Sequence, residues 1–239
     1  MTSFALNEKN VLPLHPVFKK IAIVDFKTAL FDLDGVVFDT EPIYTRFWGD
    51  ECRRYHPELP GLEHRIKGQT LQQIFEGYFA DVPQEQPLIV ERLNRFESQM
   101  QYDYIPGFTD FVEALRREGI TTAVVTSSNR IKMQAVYRAH PEVKDFFDRI
   151  LTSEDFTESK PSPDCYLRGA DAFGVTPAQC VVFEDSINGL RAGMASGARV
   201  VGLSTTNPGS AIAPLCHLVV PDFTTLSVER CRQLVACRL

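Results

Sequence analysis

Two carboxylates stand two residues apart where an apolar run stops. Ala29-Leu30-Phe31 leads into Asp32 and Asp34, and Gly35 follows at once. In extended backbone, residues i and i+2 point to the same side, so both acids can face one cleft, about 6–7 Å apart along the chain. Like charges that close repel unless a cation lies between them or one of them holds a proton. A second apolar run, Cys180 to Phe183, ends the same way in Glu184 and Asp185. Two acidic strand ends in one sheet suit a shared hard cation, and Mg²⁺ prefers oxygen donors while keeping several of its waters. The blander alternatives are a solvated turn at Asp32–Asp34 and an acidic helix start at Glu184–Asp185.

Two further junctions carry complementary groups. After Val124-Val125 come Thr126, Ser127, Ser128 and Asn129. Their hydroxyls and backbone N–H groups can cradle a phosphate at a helix N-terminus, or simply cap that helix. Lys160 precedes the rigid Pro161-Ser162-Pro163 stretch. A loop lysine is ordinarily a solvated charge, but this one lies at a strand–helix junction on the ligand-binding side. Carboxylates for a cation, hydroxyls and a lysine together are equipment for stabilising a phosphoryl group in transfer.

Such residues converge only if strand ends converge. After Pro106-Gly107, strand and helix patterns alternate. Helical spacing runs from Phe108 to Leu115, with Gly119 beyond it. "TTAVVTSS", "RILTS", "CVVFED", "RVVGLS" and "HLVV" read as strands, and "RIKMQAVYRA", "PDCYLRGADAFG", "INGLRAGMASG" and "TTLSVERCRQLV" as helices. This predicts an α/β fold, a Rossmann-like parallel sheet with helices on both faces. Residues 42–105 differ. Leu71, Ile74, Phe75 and Tyr78, then Ile89, Leu93, Phe96 and Met100, keep helical spacing, and no strand-like run occurs. The expected organisation is an extension over 1–20, an α/β core over 21–41 and 106–239, and a helical cap over 42–105. Ile21 to Val24 could add an edge strand to that core. An insertion just after the first strand lies over the carboxyl ends of the strands, where such sheets bind ligands.

The stretches "FDLDGVVFDTE", "VVTSSN", "KPSPDCYL" and "VVFEDSINGLRAGMASG" resemble, in order, the four motifs of the haloacid dehalogenase superfamily, and most closely its β-phosphoglucomutase-like branch. The resemblance spans roughly residues 27–205. It implies that Asp32 is the nucleophile that becomes an aspartyl-phosphate, and that Asp34 is the general acid and then the base. It implies that Thr126 and Lys160 hold phosphoryl oxygens, with Ser127, Ser128 and Asn129 beside them. Mg²⁺ would be held by Asp32, the main-chain carbonyl of Asp34, Asp185, and Glu184 either directly or through water. Gly35 would make a sharp turn into a flap that Asp39-Thr40 closes.

The cap bears on the substrate. Mutases of this branch carry a histidine where Tyr44 stands, and an arginine in the loop that reads "IKGQTLQQI" here. Lys67 and Gly68 match that loop, but Leu71 or a neighbour replaces the arginine, and Leu71 also fits an apolar helix stripe. A bisphosphate needs a cation at both ends. The expectation is therefore a Mg²⁺-dependent phosphatase of small phosphorylated metabolites, sugar phosphates among them by family, with Tyr44, Lys67 and Gln69 of the cap setting substrate preference. A β-phosphoglucomutase, a pyrophosphatase of the same fold and a non-catalytic phosphate-binding protein are the alternatives. A dehalogenase would need neither Asp34 nor the Glu184–Asp185 pair.

Composition agrees with this. Of 239 residues, 44% are hydrophobic and 23% charged, enough for one sizeable core. A net charge of −6 argues against nucleic-acid or anionic-membrane partners. Six cysteines without CxxC spacing read as scattered reduced thiols. No apolar run approaches the roughly 18 residues of a membrane span, and the first 20 residues do not read as a signal peptide. A cytoplasmic monomer or weak dimer is expected.

Overall fold

The computed structural model describes residues 24–67 and 69–236. The extension over 1–20, the edge strand expected at 21–24, Gly68 and Cys237 fall wholly or largely outside the described residues.

In chain order the elements are β1 (Thr28–Phe31), α1 (Glu41–Tyr55), α2 (Leu62–Arg65), α3 (Leu71–Tyr78), α4 (Gln86–Ser98), α5 (Phe108–Arg117), β2 (Thr121–Val125), α6 (Arg130–Ala139), α7 (Val143–Phe146), β3 (Arg149–Leu151), α8 (Asp164–Asp171), β4 (Cys180–Glu184), α9 (Ile187–Ser196), β5 (Arg199–Leu203), α10 (Gly209–Ile212), β6 (Leu218–Val220) and α11 (Val228–Ala236). The strands form one sheet in the order β3-β2-β1-β4-β5-β6, and every pairing is parallel. The chain winds outward from β1 to β3, then returns to add β4 on the other side of β1. That reversal leaves a crevice beyond the carboxyl ends of β1 and β4, the point at which open parallel sheets bind ligands.

Every residue of β1 and β4 is buried, as a strand covered on both faces requires. On one face Phe31 stacks on Phe183 with centroids 4.5 Å apart, ringed by Phe108, Phe111, Phe147 and Phe223. On the other, Leu30, Val182 and Val200 pack with Tyr166, Leu190 and Ala192. This apolar seat fixes the strand ends, and hence the residues that follow them.

Helices α1 to α4 enclose a core of their own, built from Phe47, Trp48, Leu62, Ile74, Phe79, Ile89 and Leu93. Within it Arg92 meets the buried Glu51 through two hydrogen bonds of 2.8 and 2.6 Å, the bidentate geometry a guanidinium favours. Two strands of chain join this block to the sheet. They pair where the Asp39 N–H donates to the Asp103 carbonyl (2.8 Å) and the Ile105 N–H to the Val37 carbonyl (3.0 Å).

The helix expected from Thr224 begins only at Val228. Asp222 accepts from the Thr224 N–H (2.8 Å) and hydroxyl (2.5 Å), a local turn that competes with the helix, and Ser227 takes the first-turn N–H of Arg230 instead. Met100 keeps the apolar spacing of α4 and is buried, yet lies beyond its end. The short helices α2, α7 and α10 have too few turns for periodicity to reveal them.

Candidate active site

Asp32 is the first residue past β1, held in register by its N–H to the Phe183 carbonyl (3.0 Å). Its carboxylate Oδ1 accepts from Lys160 Nζ at 2.6 Å, and the same ammonium donates to Glu184 Oε1 (2.7 Å) and the Val125 carbonyl (3.3 Å). All three ammonium protons therefore point at β1, β2 and β4 together. Lys160 is 2% exposed and Asp32 8%, so neither a solvated lysine nor a solvated acidic turn describes them.

Glu184 is engaged on both oxygens. Oε1 also accepts from the Tyr166 hydroxyl (2.9 Å), and Oε2 accepts from the N–H groups of Asp185 and Ser186 (both 3.0 Å) and from the Ser186 hydroxyl (3.1 Å). Ser186 in turn caps α9 by accepting from the Gly189 N–H (3.0 Å). A Cβ on Gly189 would overlap the Glu184 carboxylate, so only glycine lets the helix start this close to it.

Asp185 is different. Both of its side-chain oxygens are buried, and neither has a hydrogen-bond partner among the described residues. The nearby Thr206 hydroxyl, itself outside hydrogen-bond geometry, only eases its charge. Burial, then Glu184, Glu41 and Asp32, push the Asp185 carboxyl well above the usual range. Burial likewise pushes Asp32 up to about 7, with Glu184 and Asp34 adding to the shift and Lys160 opposing it. For Lys160, burial works against the charge, but Asp32 and Glu184 outweigh it and hold the pKa well above the ordinary value. Ligand oxygens of Asp32, Glu184 and Asp185 lie within 4.8 Å of one another. Buried carboxylate oxygens without donors are costly, and an all-oxygen donor set fits a hard divalent ion such as Mg²⁺. Gly35 completes this corner. Its φ of +74° lies in the left-handed region, and a Cβ there would collide with the Asp185 carboxylate.

At the end of β2, Thr126 Oγ1 accepts from the Ser128 N–H (3.0 Å), while the Ser127 hydroxyl is buried and without a partner among the described residues. Asn129, rather than a serine, caps α6, accepting from the Lys132 N–H at 2.9 Å. The Asp34 carboxylate accepts from the Thr40 hydroxyl (2.5 Å) and the Ser128 hydroxyl (3.1 Å). It also accepts from Lys132, whose Nζ lies 2.5 Å from Oδ1 and bonds Oδ2 as well.

The helical block supplies the opposite wall. Tyr44 donates to Glu97 Oε1 (2.7 Å), and its ring centroid is 4.5 Å from Lys132 Nζ. Lys67 pairs with Glu41 Oε2 at 3.1 Å. Gln73 Nε2 donates to the Lys160 carbonyl (3.1 Å), and the Ser159 hydroxyl meets Thr70 Oγ1 (3.3 Å). Between block and sheet lies a cavity of about 340 Å³ lined by Asp32, Asp34, Thr126, Ser127, Ser128, Asn129 and Asp185 on one side. Tyr44, Lys67, Gln69, Leu71 and Trp48 line the other. Every predicted catalytic and substrate-binding residue except Lys160 reaches this cavity. Lys160 and Glu184 stand behind Asp32.

Four residues of the site escaped sequence reasoning: Lys132, Glu41, Glu97 and Gln73. Each sits in a helix or its first turn, where a polar residue reads as solvated. The available signal was Lys132 three residues past the N-cap, on the same helix face as Asn129.

A family model for haloacid dehalogenase-like hydrolases matches residues 26–197. Hexitol phosphatase A of Escherichia coli (strain K12) is 31% identical over 197 residues, covering 74% of this chain and 83% of that protein. The bifunctional riboflavin kinase/FMN phosphatase of Arabidopsis thaliana is 29% identical over 208 residues, covering 84% of this chain, and the chain spans only 54% of that relative's length. A β-phosphoglucomutase structure from Clostridium difficile superposes with a TM-score of 0.73 at 20% identity, covering 88% of this chain and 97% of that one, a likeness of fold alone. Among the described residues, no helix is long and apolar enough to cross a membrane. With the motifs seated at one sheet crevice and the family model spanning most of the chain, this protein belongs to the haloacid dehalogenase-like hydrolases.

Proposed function

We propose that the protein is a Mg²⁺-dependent phosphomonoesterase of small phosphorylated metabolites, sugar and polyol phosphates foremost, working through an aspartyl-phosphate on Asp32. The observation that carries this reading is one buried ammonium, Lys160, shared by Asp32 and Glu184 beside the donor-free carboxylate of Asp185. Asp32 and Asp185 side chains and the Asp34 main chain would hold the ion. Glu184 would reach it through water, since both of its oxygens are already engaged. When bound, Mg²⁺ supplies positive charge to the phosphoryl oxygens and keeps Asp32 ionised.

An Asp32 oxygen attacks phosphorus, the P–O ester bond breaks, and Asp34 gives its proton to the departing oxygen. Asp34 then takes a proton from a water that attacks the same phosphorus, releasing phosphate and regenerating Asp32. Thr126 and the Ser127 N–H hold charge that develops on the phosphoryl group, while Lys160, behind Asp32 and outside the cavity, balances the Asp32 and Glu184 carboxylates rather than gripping phosphoryl oxygens as the resemblance implied. Helices α1 to α4 act as a cap that excludes bulk water, and Gln73 ties that cap to the Lys160 loop.

A hydrolase is favoured over a mutase because the cavity cations are already paired. Lys67 faces Glu41, and Lys132 faces Asp34. Leu71, which with its neighbours stands where the resemblance places the arginine of the mutases, lines the cavity. Lys67 is the one cation that the described residues of the helical block bring to the cavity lining, and its pairing with Glu41 leaves none there for a distal phosphate, so an uncharged leaving group fits best. The hexitol phosphatase relative points the same way. The test is hydrolysis of p-nitrophenyl phosphate in Mg²⁺ and in EDTA, followed by kcat/KM over a panel of phosphorylated metabolites. Interconversion of β-glucose 1-phosphate would instead mark a mutase. Asp32→Asn is expected to abolish turnover while keeping the fold, and a variant retaining most of the rate refutes the assignment.

A further inference from the structure

The Asp34 carboxylate is saturated. Oδ1 takes the Thr40 hydroxyl and the Lys132 ammonium; Oδ2 takes the Ser128 hydroxyl and the same ammonium. An ionised carboxylate offers about four acceptor sites, so four donors leave none for an ester oxygen. A proton can pass between Asp34 and a leaving oxygen only if one donor gives way.

Two of the three donor residues are fixed. Thr40 is fully buried, and its carbonyl accepts from the Ile43 and Tyr44 N–H groups at the start of α1 (both 3.0 Å). Ser128 is tied by its N–H to Thr126. Lys132 alone ends in a long flexible chain. Its ammonium has somewhere to go, because the cavity opens beside it, the Tyr44 ring lies 4.5 Å away, and the Glu97 carboxylate is close enough to feel its charge. A buried ammonium that leaves one carboxylate needs new oxygen partners, or the loss is severe. Glu97 spends only one acceptor site on the Tyr44 hydroxyl, so it can take part of the ammonium's bonding, and what fills the cavity supplies the rest.

We propose that Lys132 stands where the substrate's leaving oxygen belongs, and that when substrate binds it transfers from Asp34 to hydroxyls of the leaving group. Lys132 is then a specificity-determining residue that favours hydroxyl-bearing monophosphates over phosphates with bare aromatic or alkyl leaving groups. The inference deepens the phosphomonoesterase reading and rests on it.

The test compares kcat/KM for sorbitol 6-phosphate with that for p-nitrophenyl phosphate, in Mg²⁺, for the wild type, Lys132→Met and Lys132→Arg. The nitrophenyl group has no hydroxyl to offer and departs without a proton. In Lys132→Met the ratio of the two values is expected to fall by about 10- to 100-fold, the worth of a charged hydrogen bond, mainly through KM for the sorbitol ester. Lys132→Arg, which keeps the charge, is expected to fall between, and it reads the same ratio should the methionine variant fail to fold. An unchanged ratio overturns the inference, whether both activities drop together or neither does. A wild-type enzyme that hydrolyses no phosphomonoester in Mg²⁺ overturns the underlying reading; one that is active with a constant ratio overturns only the role of Lys132.

Discussion

Gly189 lies in the first turn of α9, and in an ordinary helix alanine is more stable than glycine by about 0.5–1 kcal/mol. Here the sign is expected to reverse. A Cβ at Gly189 would fall on the Glu184 carboxylate itself, with both oxygens among its nearest atoms. Overpacking of a dense interior costs about 1–3 kcal/mol. Moving Glu184 away also strands buried donors, which include Lys160, Tyr166 and the N–H groups of Asp185 and Ser186. Each donor left without an acceptor adds about 1–3 kcal/mol. With two stranded but the carboxylate able to shift partway, Gly189→Ala is expected to fall in the lower part of that range and lose about 3–5 kcal/mol, at the upper end for a single substitution. For a chain of this size that lowers Tm by about 6–20 °C. Gly77→Ala is the matched control, since that glycine is exposed in α3 and a Cβ there meets nothing within 4 Å. It is expected to hold or raise stability by up to about 1 kcal/mol. Thermal and urea unfolding of both variants, with phosphatase assays beside them, decide the matter. A Gly189→Ala protein that melts with the wild type and turns over normally would refute the packing argument and the structural role given to Glu184.

Asp32 and Asp185 carry raised pKa values, so without metal their contribution is fully present below the usual carboxylate range and is lost as pH rises, through about 7 for Asp32. The gain in Tm from Mg²⁺ over EDTA is therefore expected to be larger at pH 8 than at pH 5, and equal gains would count against a shared cation site. Gln73→Ala removes the bond from the helical block to the Lys160 carbonyl, and kcat/KM should fall by about 3- to 10-fold with little change in Tm. Full activity would show that this contact does not matter for closure. Leu71→Arg adds a cation to the cavity wall and should tighten inhibition by a hexose bisphosphate by at least about tenfold. No tightening would mean the side chain does not face the distal phosphate.

The strand ends were legible in the sequence because their cause is local. Apolar runs that stop at Asp32, Thr126 and Glu184 declare buried strands and the polar residues that cap them. Alternation of strand and helix made the parallel sheet and the helical block between β1 and α5 readable in the same way. The order β3-β2-β1-β4-β5-β6 was not, since periodicity carries no information about which strands are neighbours. The partners of the charged groups were hidden for the same reason. Lys132 and Asp34 are 98 residues apart, Gln73 and Lys160 are 87 apart, and each looks from its own segment like a solvated polar residue. Only packing of the helical block against the sheet removes the water that would otherwise serve them, and burial then obliges each charge to find a partner from a distant part of the chain.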